Sequence, residues 1–114
     1  MNKVQLFGRT VTEIEIKYSS SDDKTAVGRF RIAVPRRNKE TDFFSCVAFG
    51  KTAENMATYF RKGDRVLIGG RIETNQYTTK DGQKATSVQI VVEEFDFIEP
   101  KREETEELPF NLTL

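Results

Sequence analysis

The residue types that could do chemistry in this sequence are aromatic and basic, and their spacing places several of them on one surface. Alternation along Asp42 to Phe49 sends Phe43, Ser45, Val47 and Phe49 to one face of a strand and Phe44, Cys46 and Ala48 to the other. The second set is compact and apolar, as a narrow interior needs, so Phe43 and Phe49 stand outside. Two phenylalanines held in water on one strand face are costly without a purpose. Planar bases supply one, since stacking on an aromatic ring is worth about 1–3 kcal/mol per base. Packing in a core or a subunit interface is the alternative use of any single one. Tyr77, at the mouth of a hairpin, is a third stacking candidate, with cross-strand packing as its alternative. Tyr18 and Tyr59 read as structural.

Cations interleave with these rings. Arg29 and Arg31 alternate outward from a strand, Arg36, Arg37 and Lys39 fill the loop that follows, and Arg71 lies on a later strand. Lys51, Lys80 and Lys84 add to the rim. Singly, each is an ordinary solvated charge; beside aromatic platforms they suit a flexible, negatively charged strand. The overall charge is zero, with 18 basic and 18 acidic residues, but it is unevenly spread. Residues 1–98 carry 16 Lys/Arg against 13 Asp/Glu, net +3, while residues 99–114 carry two against five, net −3. A mildly basic body with an acidic end points toward nucleic acid.

Other chemistries are poorly supplied. Without histidine there is no Ser/His triad, imidazole zinc site or imidazole acid–base catalysis. Cys46, the single cysteine, cannot form an intrachain disulfide and reads as a small buried hydrophobe. The carboxylates Asp22 and Asp23, and Glu93, Glu94 and Asp96, read as solvated surface charge. No run of 18 apolar residues occurs, and a cytoplasmic, non-enzymatic protein without cofactor, metal or membrane partner is expected.

Positioning those residues requires mostly strands. Val4 and Leu6 open a first strand that bends at Gly8 and continues through Ile14, Ile16 and Tyr18. Gly28, Phe30, Ile32 and Val34 make a second strand that Pro35 stops, and Asp42 to Phe49 a third. The period then changes: Ala53, Met56, Ala57 and Phe60 share one helix face, with Thr52 expected to cap the start, Arg61 and Lys62 to favour the end, and Gly63 to stop it. Two strands follow, Arg65 to Tyr77 and Ala85 to Ile98, bent at Gly69-Gly70 and joined by the Asp81-Gly82 hairpin signal. The order predicts an all-β, five-stranded OB-fold Greek-key barrel with one α-helix between its third and fourth strands. This domain is expected over residues 1–99, with a short acidic tail over 100–114.

Several stretches resemble the bacterial and phage single-stranded DNA-binding protein family. Met1-Asn2-Lys3-Val4 with Leu6 and Gly8-Arg9 is similar to the family's opening, and Asp42-Phe43-Phe44 through Val47-Ala48-Phe49-Gly50-Lys51, with Ala53-Glu54 and Tyr59 to Gly63, to its central signature. Gly70-Arg71-Ile72 to Tyr77, then Asp81-Gly82-Gln83, resemble its fourth strand and hairpin. The resemblance implies sequence-tolerant coating of single-stranded DNA in replication, recombination and repair, with bases stacked on Phe43, Phe49 and Tyr77. It also implies a homotetramer paired first through the opening strand. Two departures matter. The chain has no tryptophan, so stacking is expected to be weaker. Glu106-Glu107-Leu108-Pro109-Phe110 resembles the family's acidic partner-binding tip, but Asn111 to Leu114 follow it, so the free carboxylate is not on Phe110. The short tail is expected of a phage or mobile-element relative. An OB module that docks on replication proteins, or an OB-fold nuclease, would be the competing readings.

Overall fold

Apolar residues at every second position give each strand one face to bury, and the computed structural model, which describes residues 1–19 and 24–98, shows how those faces meet. In chain order the elements are β1 (Val4–Thr10), β2 (Glu15–Tyr18), β3 (Ala26–Pro35), β4 (Thr41–Phe49), α1 (Gly50–Tyr59), β5 (Arg65–Thr78) and β6 (Lys84–Phe97). The sheet runs β1-β5-β6-β4-β3-β2, and a second pairing of β1 with β3 closes it into a ring. Only β4 and β6 run parallel among the described strands.

The expected first strand is broken in two. β1 pairs with β5 over Val4 to Arg9 and then crosses to β3 at Arg9↔Ala33 and Thr10↔Ile32, while β2 rejoins β3 farther along, from Glu15↔Arg29 to Tyr18↔Ala26. Counted as one interrupted strand, they complete the five-stranded closed barrel of an OB fold. Gly8 permits the crossing, because a Cβ there would collide with the Ala33 carbonyl. The break itself is pinned: Thr10 donates its N–H to the Asp64 carbonyl at 2.9 Å and its hydroxyl to the Arg61 carbonyl at 2.7 Å. Both Thr10 and Asp64 are buried.

Inside the ring, Phe30, Ile32, Cys46, Ala48, Ile68 and Ile90 form the core, with Phe44 packed against it. α1 closes one end with Ala53 and Met56, and Phe60 just beyond it meets the Phe95 ring edge-on at 5.3 Å. The helix punctuation differs from the sequence expectation. α1 starts at Gly50 with Phe49 at the cap position, so Thr52 lies inside the helix and makes no cap. It ends at Tyr59, so Gly63, at φ +94°, serves the following turn instead. Arg61 does meet the helix end, donating to the Thr58 and Phe60 carbonyls at 3.3 Å. Tyr18 and Tyr59 are both partly exposed at the surface.

The expected bend at Gly69-Gly70 is a register shift in the β5/β6 ladder. A Cβ on Gly70 would strike the Val91 carbonyl oxygen. Farther out the same two strands form a hairpin arm closed at its tip by the Thr79 N–H to Gln83 carbonyl bond of 2.8 Å, with Gly82 at φ +85°. Asp22 and Asp23, and the tail from residue 99, including its boundary with the barrel, lie outside the described residues.

Candidate nucleic-acid interface

Strand register decides which side chains share the outer face of the barrel. Reading across the sheet, Glu15, Arg29, Val47, Val91 and Arg71 form one row, and Arg31, Ser45, Gln89 and Glu73 the next. Phe49, opposite Val27, lies on one side of these rows and Phe43, opposite Ala33, on the other. Tyr77 is six residues along β5 from Arg71 and therefore on the same face, opposite Ala85 on the arm. The three aromatics are 54%, 47% and 52% exposed for Phe43, Phe49 and Tyr77, while Phe44, Cys46 and Ala48 turn inward. Along β4, Phe43 and Phe49 are separated by about 20 Å at roughly 3.3 Å per residue.

The floor between them is dry. Val47 and Val91, neighbours in the parallel ladder, are only 2% and 3% exposed although they lie on the outer face. Alternation alone placed Val47 with the phenylalanines but could not show it covered, because its parallel neighbour Val91 comes from β6, distant in the chain. Beside this floor is a groove of about 750 Å³ between Thr12–Glu15 and Ser87–Gln89, based on Arg29 to Arg31 and Ser45 to Cys46. Ser45, which alternation had placed on this face, carries a hydrogen-bonding group here, as do Ser87 and Gln89, which sequence reasoning missed; their odd-numbered positions on β6 were the available signal.

The cations divide by what holds them. Arg31 stands 5.6 Å from the centre of the Phe43 ring, a cation–π distance, and makes no ion pair among the described residues. Arg29 is exposed and faces Glu15 across the ladder without pairing to it. Arg36 is clamped: Nη2 and Nε donate to Asp42 at 2.8 and 2.9 Å, and Nη1 to Glu40 at 3.1 Å. The Asp42 carboxyl is accordingly held below its ordinary range, chiefly by that hydrogen bonding from Arg36. Arg71 is clamped likewise, by Glu73 and Glu93. Arg37 sits exposed in the turn beside Arg36, at the Phe43 end of β4, and Lys51 on the first turn of α1, at the Phe49 end. Lys80 lies in the hairpin turn, and Lys84, next to Ala85, points to the face of the arm opposite Tyr77.

Cys46 contributes packing, not reactivity: burial pushes its thiol up to about 12. No group of three or more His, Cys, Asp or Glu able to hold a metal ion occurs among the described residues. No described helix is long and apolar enough to cross a membrane.

Comparison with known proteins decides between families that share such a barrel. The model of the single-strand binding protein family matches residues 1–98. This chain belongs to that family. Similar proteins include the single-stranded DNA-binding protein of Clostridium perfringens, 45% identical over 101 residues, which are 87% of this chain and 67% of the relative. That of Fusobacterium nucleatum is 41% identical over 109 residues, 89% of this chain and 69% of the relative. Single-stranded DNA-binding protein 1 of Streptococcus pyogenes is 36% identical over 111 residues, 92% and 83% of the two chains. The single-strand binding family is one of DNA-binding proteins rather than enzymes, and its matched span takes in every described strand, including the whole outer face.

Proposed function

We propose that this chain binds single-stranded DNA with little sequence preference, stacking bases on Phe43, Phe49 and Tyr77 and meeting phosphates with Arg29, Arg31, Arg37 and Lys51. Such coating serves replication, recombination and repair in this family. The observation that carries the reading is the register: three half-exposed aromatics, two on β4 and one on β5, share one face with Arg29 and Arg31, which make no ion pair among the described residues. Rings stack on any base, which makes the binding tolerant, and cations track the backbone. Lys80 and Lys84 on the arm add attraction at longer range. Arg36 and Arg71 are already paired to carboxylates, so a phosphate reaches either only by displacing those partners. The role is a non-enzymatic one and draws on no cofactor.

A homotetramer belongs to the same proposal. Among the described residues β1 pairs with β3 only at Arg9 and Thr10, and no described strand covers its Val4 to Phe7 edge away from β5, which offers that edge to a second copy, with Phe7 exposed there. Recruitment of replication or repair proteins through Glu106 to Phe110 is proposed from the tail's sequence alone.

The test is titration of a labelled oligo-dT and of a duplex of equal length at 50 and 200 mM salt. Single-strand binding should be the tighter, and its log affinity should fall by about 0.7 per phosphate neutralised for each tenfold rise in salt. Equal affinity for duplex and single strand, or no response to salt, would sink the proposal.

A further inference from the structure

The two ends of the outer-face row are electrostatically unlike. At one end Arg29 carries an exposed guanidinium with Glu15 opposite but not bonded to it. At the other, Arg71 uses Nε and Nη2 on Glu73, at 3.2 and 3.1 Å, and Nη1 on Glu93 at 2.8 Å. The strand register makes the second arrangement: Glu73 is two residues along the same face of β5, and the Gly69/Gly70 shift brings Glu93 beside it from β6. One positive charge against two negative ones leaves this corner at net −1. The groove of about 750 Å³ also lies at the Arg29 and Arg31 end, and none of Arg71, Glu73 and Glu93 lines it.

We infer that Glu73 and Glu93 hold Arg71 out of the phosphate path and act as a brake on DNA affinity, so that the DNA backbone is confined to the β3 side of the face. A single exposed ion pair would be a weak restraint that a phosphate could displace. Here one guanidinium is held from three nitrogens by two carboxylates, and an arriving phosphate meets net negative charge. The backbone therefore runs along Arg29 and Arg31, and the uncharged bases lie across Val47 and Val91 toward Gln89. This inference rests on the proposed single-strand binding and refines where on the face that binding occurs.

The experiment uses the full chain and fluorescence anisotropy of labelled oligo-dT across a salt series. Glu73 and Glu93 are half-exposed, so the double variant E73Q/E93Q should fold normally. Freeing Arg71 should add about one phosphate contact, steepening the salt slope by about 0.7 and raising the ratio of affinities at 50 and 200 mM by about 2.6-fold. Adding Arg71→Gln to that double variant should cancel the gain. The double variant E94Q/D96Q, with the same charge change on β6 outside the Arg71 network, should keep the wild-type slope. A wild-type slope in E73Q/E93Q overturns the inference, as does a gain that survives Arg71→Gln or that E94Q/D96Q reproduces. Failure of the wild-type protein to bind oligo-dT would instead remove the proposed function, and this inference with it.

Discussion

Replacing Phe43 and Phe30 by alanine, one at a time, sets the two faces of the barrel against each other. Phe43 is on the outer face of β4 and 54% exposed, whereas Phe30, mid-way along β3 and opposite Cys46, is buried in the core. Full burial of a phenylalanine is worth about 1.5–3 kcal/mol, so half of that, about 1 kcal/mol, is at stake in folding at Phe43. The contact with Arg31 adds about 0.5–1 kcal/mol at an exposed site. Phe43→Ala should therefore cost about 1–2 kcal/mol of stability. In DNA binding it should cost about 1–3 kcal/mol, a loss of roughly 5- to 150-fold in affinity, because a whole stacking platform goes. Phe30→Ala removes a close-packed core ring and should cost about 3–5 kcal/mol of stability. Denaturant melts give the folding terms, and oligo-dT titration, at a temperature where each variant is folded, gives the binding terms. The reasoning is refuted if Phe43→Ala binds within twofold of wild type, or if it destabilises as much as Phe30→Ala.

Two further outcomes test the fold that holds the site. Gly70→Ala forces a Cβ into the Val91 carbonyl at the β5/β6 register shift, and since backbone rather than a flexible side chain is in the way, a loss of at least about 2 kcal/mol is expected in urea unfolding, with a weakened arm. The Cys46 thiol, pushed up to about 12 by burial from an ordinary 9.0, favours the folded state as long as it is neutral. Its contribution is fully present below about pH 9 and is lost as pH rises from there toward 12, because the unfolded thiol ionises first. Native protein should accordingly resist a thiol reagent at pH 8 and react promptly in denaturant; equal rates in the two conditions would contradict the buried placement.

Much of the site was legible before the fold was known. Period-two alternation on β4 is a local property of the backbone, so the outward turn of Phe43 and Phe49 and the inward turn of Phe44, Cys46 and Ala48 follow from residue order once the segment is a strand. The Asp81-Gly82 tip and the Gly69-Gly70 irregularity are local in the same way. The helix limits were less legible. Thr52 and Gly63 are good capping types, but the helix begins directly from the end of β4 at Gly50, and the chain after Tyr59 is held by Thr10 and Asp64, which no local rule foresees.

By itself, then, the sequence determined the alternation of the strands, the single helix, the family and the outward turn of Phe43 and Phe49, because each depends on short-range periodicity or on a contiguous motif. Only tertiary structure decided how those residues work together. Closure of β1 onto β3 broke the first strand, and docking of β6 alongside β4 buried Val47 against Val91 as a dry floor. The β5/β6 register carried Glu93 to Arg71, 22 residues away in sequence, and left Arg29 and Arg31 beside the groove with no ion pair among the described residues. Charge pairing acts over a few ångströms of space, not along the chain, so the division between paired and unpaired arginines could be read only after the ring had closed.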